Sequence, residues 1–502
     1  MPHTLPPSFS ADRRAGDVLC RASTVLAAFM AGFLCLSPLA HAAEKAAPAQ
    51  PTAASGVPVT PVPELNDEAQ RIYQKHGDAI YQIQVIDLAS DKKATIGSGF
   101  QFTADGLIAT NYHVIAEALQ RPDNNRLEYI HDKHGKGGLT VLIADVMYDL
   151  AILKMETPGT NFVELGQSKL PKGTRLFSLG NPHDIGFTIV EGTYNGLSRE
   201  SFIDKIHFSG AINPGMSGGP VLGHDGRVVG INVATAGNQI GFLVPVEPLR
   251  NLLKKYLAQN EDYNFAAAAD ADIQEQLRAG QADNIKRLMA EDWESMTFGP
   301  VMVPGRINDA FKCWGGPEHK DKDPFTHFRT NCSTEHNVFL DNRFNTGTFS
   351  YSYDLLRAKD ELNAVRFYNL YEQLYTAPMG MGLYYNAREQ DVTNFDCSSD
   401  FLDLADHRWK ASLCIRRYKK YPDIHDLHLY MALLGDTRSG MVVSFVAQGV
   451  ARDSGLELVR KFMAQLKPVP PQAQEPAPIP PENTPAPAKQ TPATPDTTEG
   501  AE

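Results

Sequence analysis

The chain has 502 residues, 42% of them hydrophobic, and a formal net charge of −12. That length calls for two or three cores and excludes a single small domain. The acidic balance, with no basic stripe anywhere, argues against a nucleic-acid partner, because phosphate contacts need clustered Lys and Arg.

The first element is a secretory pattern. Arg13, Arg14 and Arg21 precede an apolar stretch from Val25 to Leu36, and Ala40-His41-Ala42 closes it. The stretch is shorter than the roughly 20 residues that span a bilayer, so cleavage after Ala42 is expected, with no stable membrane span afterwards. An uncleaved anchor in the inner membrane is the alternative. Losing residues 1–42 removes three basic and two acidic residues, so the net charge moves from −12 to −13. Residues 43–63, rich in Ala, Pro and Thr, read as a linker.

A short helix follows over Glu64–His76, then a strand over Ala79–Ile86 and a partner strand near Thr95. Two β-like runs on either side of Ala104-Asp105-Gly106 deliver His113 at the end of the second. His131 to Gly138 is a turn-rich polar loop. Its two histidines are too few for a metal site, and no metal or other cofactor is expected. Asp149 enters the apolar run Leu150-Ala151-Ile152-Leu153, where a partly buried carboxylate can hold an imidazole tautomer. Asp145, four residues earlier, is the weaker candidate for that role. Thr188, Val190 and Gly192 alternate as strand residues, with Asn195-Gly196 as a hairpin turn. His183, His207 and His224 lack a paired acid and read as surface or loop residues.

The segment Asn213-Pro214-Gly215-Met216-Ser217-Gly218-Gly219-Pro220 has too little side chain to pack a core, so its glycines point to unusual backbone angles. Such a turn presents the Ser217 hydroxyl and aims the N–H groups of Gly215 and Ser217 at a common point, as a developing oxyanion requires. A serine hydroxyl needs a base and an orienting acid. His113, Asp149 and Ser217 supply them in the order His, Asp, Ser.

The motifs Gly97-Ser98-Gly99-Phe100, Thr110-Asn111-Tyr112-His113-Val114, Asp149 to Lys154, Gly180-Asn181-Pro182 and Gly215 to Pro220 resemble the HtrA/Deg branch of chymotrypsin-fold serine proteases. The resemblance covers about residues 65–257 and implies a mainly β domain, a chymotrypsin-like double β-barrel. It implies the triad His113, Asp149 and Ser217, an oxyanion hole at Gly215 and Ser217, and a specificity pocket at Ala211, Val233, Ala234 and Thr235. No carboxylate stands in that pocket to pair with Lys or Arg, so a compact aliphatic side chain is favoured, with loose discrimination. Met216 is bulkier than the residue relatives usually carry before the serine. Polypeptide substrates and a trimeric homo-oligomer are further implications.

Beyond a helix over Glu247–Tyr256, residues 258–269 read as a linker and 270–466 as a separate α+β domain of unknown fold. The linker makes 64–257 the protease domain. In the α+β domain, Ile273, Leu277, Ile285, Leu288 and Met289 suggest one or two short helices. Phe349, Tyr351 and Tyr353 alternate as a strand, Met441–Val446 is another strand, and Ser454–Leu466 is a final helix. No carboxylate-binding loop of a PDZ domain is present. Its aromatics, including Trp314, Phe328 and Trp409, are expected mainly in the core. Cys313 with Cys332 and Cys397 with Cys414 is one of three pairings open to the four mature cysteines, and disulfides are favoured over zinc because no Cys-x-x-Cys occurs. Residues 467–502, rich in Pro and Ala, cannot bury a core and are expected to be disordered. The expected activity is that of a periplasmic or secreted serine endopeptidase acting on unfolded or specific partner proteins. The alternative is an envelope scaffold with a latent protease fold.

Overall fold

Twelve short strands between Ile80 and Pro245 curl into two closed barrels, which removes the unpaired edges that an open sheet would leave. The computed structural model describes residues 68–470 apart from 183–184, 199–200, 236–239, 261 and 382–386. The signal segment, the linker at 43–63 and the tail beyond 470 lie outside the described residues. The first barrel holds β1 (Ile80–Asp87), β2 (Lys92–Gln101), β3 (Leu107–Thr110), β4 (Asn125–His131), β5 (Gly135–Asp145) and β6 (Leu150–Met155), in the order β1-β2-β3-β6-β5-β4. The second holds β7 (Arg175–Gly180), β8 (Thr188–Ser198), β9 (Lys205–Phe208), β10 (Pro220–Leu222), β11 (Val228–Thr235) and β12 (Gly241–Pro245), in the order β10-β11-β12-β9-β8-β7. Helices α1 (Glu68–His76), α2 (Tyr112–Gln120) and α3 (Val246–Leu257) pack around them.

Three local readings change. The polar stretch from His131 to Gly138 is the tip of the β4–β5 hairpin, where the rings of His131 and His134 stack 4.5 Å apart. Asn195-Gly196 does not end a strand. Gly196, at φ +97°, forms an irregularity inside β8, whose pairing with β9 shifts register between Tyr194 and Leu197. A bulge needs a positive φ as much as a turn does, so the dipeptide alone does not separate them. The chain also turns helical sooner than expected after β3, so His113 stands in the first turn of α2 and not at a strand end.

The expected linker is partly helical. Helix α4 (Phe265–Ala290) begins inside it, with the Asn264 side chain accepting from the Ala267 N–H, and runs unbroken for 26 residues. Its apolar stripe changes partner midway. Phe265, Ala269, Ile273 and Leu277 join the core of the barrels, whereas Ile285 and Leu288 join the core of the following region. Between them Gln281 and Asn284 are buried and bonded to each other, and Gln281 Nε2 donates to the Gln448 carbonyl at 3.1 Å. That polar interruption is why the sequence suggests separate short helices.

The α+β region centres on one antiparallel sheet. Its strands are β15 (Phe311–Pro317), β16 (Phe325–Thr334), β19 (Phe349–Ala358), β20 (Asp396–Leu404), β21 (His407–Arg417), β22 (Ile424–Leu433) and β23 (Ser439–Ala451), in the order β15-β16-β19-β23-β22-β21-β20. A hairpin of β13 (Ser295–Phe298) and β14 (Val301–Pro304) is extended by β24 (Lys467–Pro468), so the first residues of the expected tail are paired. A second hairpin, β17 (Val338–Phe339) with β18 (Asn345–Thr346), lies between β16 and β19. Alternation along β19 places Phe349, Tyr351 and Tyr353 in one core with α6 (Arg452–Ala464), while Leu356 joins α5 (Ala364–Met381) on the other face. Disulfides Cys313–Cys332 and Cys397–Cys414 tie each edge strand to its neighbour. Trp409 is buried as expected, but Trp314 is 75% exposed because β15 is an edge strand.

A buried ion pair lies within this sheet. Arg416 Nε donates to Asp426 Oδ2 at 2.7 Å, and the Tyr418 hydroxyl and Gly449 N–H donate to Oδ1. Both side chains are almost fully shielded from water. Removing one partner strands a buried charge, which costs about 3–5 kcal/mol, while an apolar replacement of both costs far less. Asp426→Ala is therefore expected to lower the urea-unfolding midpoint sharply, and Arg416→Met with Asp426→Leu to recover most of the loss.

Candidate active site

Asp149 occupies the turn between β5 and β6 with a left-handed backbone, φ +56°, which is uncommon for a residue with a side chain. That geometry lets one residue serve α2 three ways. Its carbonyl accepts from the Tyr112 N–H (3.2 Å) and from Asn111 Nδ2 (2.8 Å). Oδ1 accepts from the His113 N–H at 2.8 Å, and Oδ2 lies 2.6 Å from His113 Nδ1. The first donors of a helix have no partner within it, and a carboxylate there also meets the positive end of the helix dipole. Asp149 thus caps the helix that carries the histidine while orienting the imidazole.

Asp145 does not compete for His113. Its Oδ1 accepts from the N–H groups of Met147 and Tyr148 and shapes the turn that leads to Asp149. Burial raises the Asp145 carboxyl above its usual range. His207 stays on β9 with its ring 6.2 Å from Phe242, and His183 lies outside the described residues.

The serine turn belongs to the second barrel but is held by the first. Ser98, fully buried on β2, donates its N–H to the Ser217 carbonyl (2.8 Å) and its hydroxyl to the Gly215 carbonyl (2.7 Å), and the same hydroxyl accepts from the Asn181 N–H (2.9 Å). A Cβ added at Gly97 would lie within 3.2 Å of the Ser217 carbonyl oxygen and 2.6 Å of the Val114 side chain. The serine turn and the residue after His113 therefore meet over one glycine. Gly215 has φ +96°, an angle that rejects a side chain.

Within the turn the amides divide cleanly. Those of Met216, Gly218 and Gly219 donate to Asn213, Asn232 and Met216 carbonyls at 2.9–3.0 Å. Those of Gly215 and Ser217 donate to no group among the described residues. Two unengaged donors, two residues apart, thus lie in the turn that carries the half-buried Ser217 hydroxyl. The Met216 side chain is fully buried in the second barrel's core with Ile212, Val221 and Val229, so its bulk points inward. Ala211 and Val233 are half-buried near this turn, and Val233 lies at a register shift in β11. The side chains of Ala234 and Thr235 lie outside the described residues. Ser98 and Asn181 lie within the sequence motifs without a role marked for either; the available signal for Ser98 is its place between two glycines.

Two closed barrels facing each other across this arrangement define a trypsin-fold serine-protease domain, and residues 97–231 match the trypsin-like peptidase domain family. The chain is 33% identical over 180 residues to the putative serine protease HhoB of Synechocystis sp., covering 33% of this chain and 41% of that protein. It is 35% identical over 159 residues to a probable periplasmic serine endoprotease, DegP-like, of Marinomonas sp., covering 30% of this chain and 32% of that protein. A crystal structure of Deg5 aligns at 30% identity with a TM-score of 0.34, covering 38% of this chain and 95% of that one. Over this region the chain is similar to HtrA/Deg-type members of the trypsin-like peptidases. It spans a third to two fifths of the length of these two curated relatives.

Burial works to lower the His113 pKa, but the charge and hydrogen bond of Asp149 outweigh it and hold the imidazole above its ordinary 6.5. A raised histidine stabilises the fold fully below the unfolded value, and the contribution is lost as pH rises through the folded one. An NMR titration of the His113 ring is expected to give a midpoint above 6.5 that falls in Asp149→Asn. A wild-type midpoint below 6.5 would mean that burial prevails over the carboxylate.

Proposed function

We propose that the chain is a serine endopeptidase of the cell envelope that cleaves unfolded or specific partner proteins through an acyl-enzyme. The observation that carries this reading is the pair of unengaged Gly215 and Ser217 amides in the serine turn, together with a His113 held by both oxygens of Asp149, one on its backbone N–H and one on its ring. Ser217 Oγ attacks the peptide carbonyl as His113 takes its proton. Asp149 holds the tautomer and stabilises the imidazolium. The carbonyl oxygen, now negative, accepts from the two amides. His113 then returns the proton to the leaving amine, and water repeats the sequence to release the acyl group. The small side chains Ala211 and Val233 favour a compact aliphatic residue before the scissile bond.

The envelope assignment rests on the secretory pattern at residues 1–42, on two formed disulfides, which persist in oxidising compartments, and on a relative whose name places it in the periplasm. Among the described residues no helix is long and apolar enough to cross a membrane.

Incubation of the full mature chain with reduced, unfolded casein is expected to give progressive cleavage, with a fluorophosphonate attached at Ser217 alone. Ser217→Ala is expected to lose roughly 10⁴-fold or more of the rate. Equal cleavage by wild type and variant would end this reading.

A further inference from the structure

The aromatic ring nearest the His113 imidazole among the described residues does not belong to either barrel. Phe339, on β17 of the α+β region, places its ring centroid 5.5 Å from that of His113, inclined by 51°. The strand alternates as a strand should. Val338 and Leu340 are buried in the barrels' own apolar core, and Phe339, between them, is half-buried on the opposite side.

The anchors on either side keep Phe339 in one place. The Tyr112 hydroxyl, one residue before His113, donates to the Leu340 carbonyl at 3.1 Å. Asp341 pairs with Arg388 and lies 3.6 Å from Arg121, at the end of α2. The Leu340 and Asp341 N–H groups donate to the Phe344 carbonyl, closing the hairpin, and Phe344 packs on Tyr418 at 4.8 Å. A ring held this way is a fixed surface. It does not seal the imidazole either, since a quarter of the His113 side chain is exposed.

We infer that Phe339 is a specificity-determining residue: an apolar wall of the substrate cleft beside His113, contributed by the α+β region, which favours polypeptides with an apolar side chain next to the scissile bond. The inference rests on the endopeptidase reading and adds to it a substrate class. A side chain flanking the scissile carbonyl passes alongside the base, because His113 must reach both the nucleophile and the leaving nitrogen. An apolar side chain there loses water against the phenyl ring. A polar one loses hydration with no partner supplied.

The test uses the full mature chain and the variants Phe339→Ala and Phe339→Leu. Two readouts are taken, the rate of fluorophosphonate labelling at Ser217 and kcat/KM for peptide pairs differing only by Leu or Ser at each position flanking the scissile bond. Phe339→Ala is expected to label within about threefold of wild type while discrimination between Leu and Ser at one flanking position falls roughly 10- to 100-fold. Phe339→Leu is expected to restore part of that discrimination. Unchanged discrimination in a labelled, active Phe339→Ala would overturn the inference and leave the endopeptidase reading intact. So would a parallel rise in labelling and in cleavage of every peptide, which would make the ring an obstruction. A wild type that neither labels at Ser217 nor cleaves would remove the endopeptidase reading, and this inference with it.

Discussion

The double grip of the Asp149 carboxylate on His113 is the constraint on which the site depends. One oxygen takes the backbone N–H and the other the ring, so the position of the helix and the direction of the imidazole cannot vary independently. The grip requires a left-handed backbone at Asp149. Such a conformation persists only where its surroundings over-determine it. Here they do: β6 follows at once and pairs with β3 and β5, and the Asn111 side chain and the Tyr112 amide both hold the Asp149 carbonyl. The nucleophile side is secured by Ser98, a single residue of the first barrel bonded to both carbonyls that bracket the serine turn. The geometry of the candidate site is therefore a property of the interface between barrels.

Helix α2 also faces the α+β region. Tyr112 is fully buried between them, Gln120 bonds to the Tyr421 hydroxyl, and Lys420 bonds back to Gln120. Val338, Leu340, Phe344, Tyr418 and Tyr421 share an apolar cluster with Tyr112 and Val114. These contacts are made by the helix that presents His113, so the energetics of docking the α+β region bear directly on the base. Lys205 reflects the same closeness. Burial lowers its pKa, and the carboxylates of Asp149, from the protease domain, and Glu335, from the α+β region, oppose the shift.

Much of the site was legible because its signals are local. A serine among glycines, an acid at the start of an apolar run and a histidine after a strand each mark a backbone event within a few residues. The barrels follow from short apolar strands with turn residues between them. What stayed hidden was either ambiguous or distant. Asn195-Gly196 encodes a positive φ that suits a turn or a bulge, and only the pairing of β8 with β9 decides between them. The stripe of α4 serves two cores in succession, so no single face runs its length. Tyr112 and Leu340 are 228 residues apart, and no periodicity in either segment announces that they meet. Nothing in the sequence around Phe339 sets it apart from the other aromatics of its region.

The disulfides connect this distant contact to the chemistry of the compartment. The central strands β19, β23 and β22 are covered by α5 and α6, but β15 and β20 are edges, and β20 is almost wholly exposed. Edge strands have neighbours on one side only and are the first to fray. Each is bonded covalently to the strand beside it, across a direct cross-strand pair. The Cys313–Cys332 bridge matters more for the site. Cys332 lies near the end of β16, six residues before Val338, and β19 begins three residues after Thr346. The hairpin bearing Phe339 is thus suspended between a strand fixed by a disulfide and a strand at the centre of the sheet. Closing a loop of that size limits the unfolded chain by about 3 kcal/mol, but the consequence for the cleft is local: the bridge fixes the outer end of the support on which the hairpin stands, while the barrels, which hold no cysteine, position His113, Asp149 and Ser217 without one.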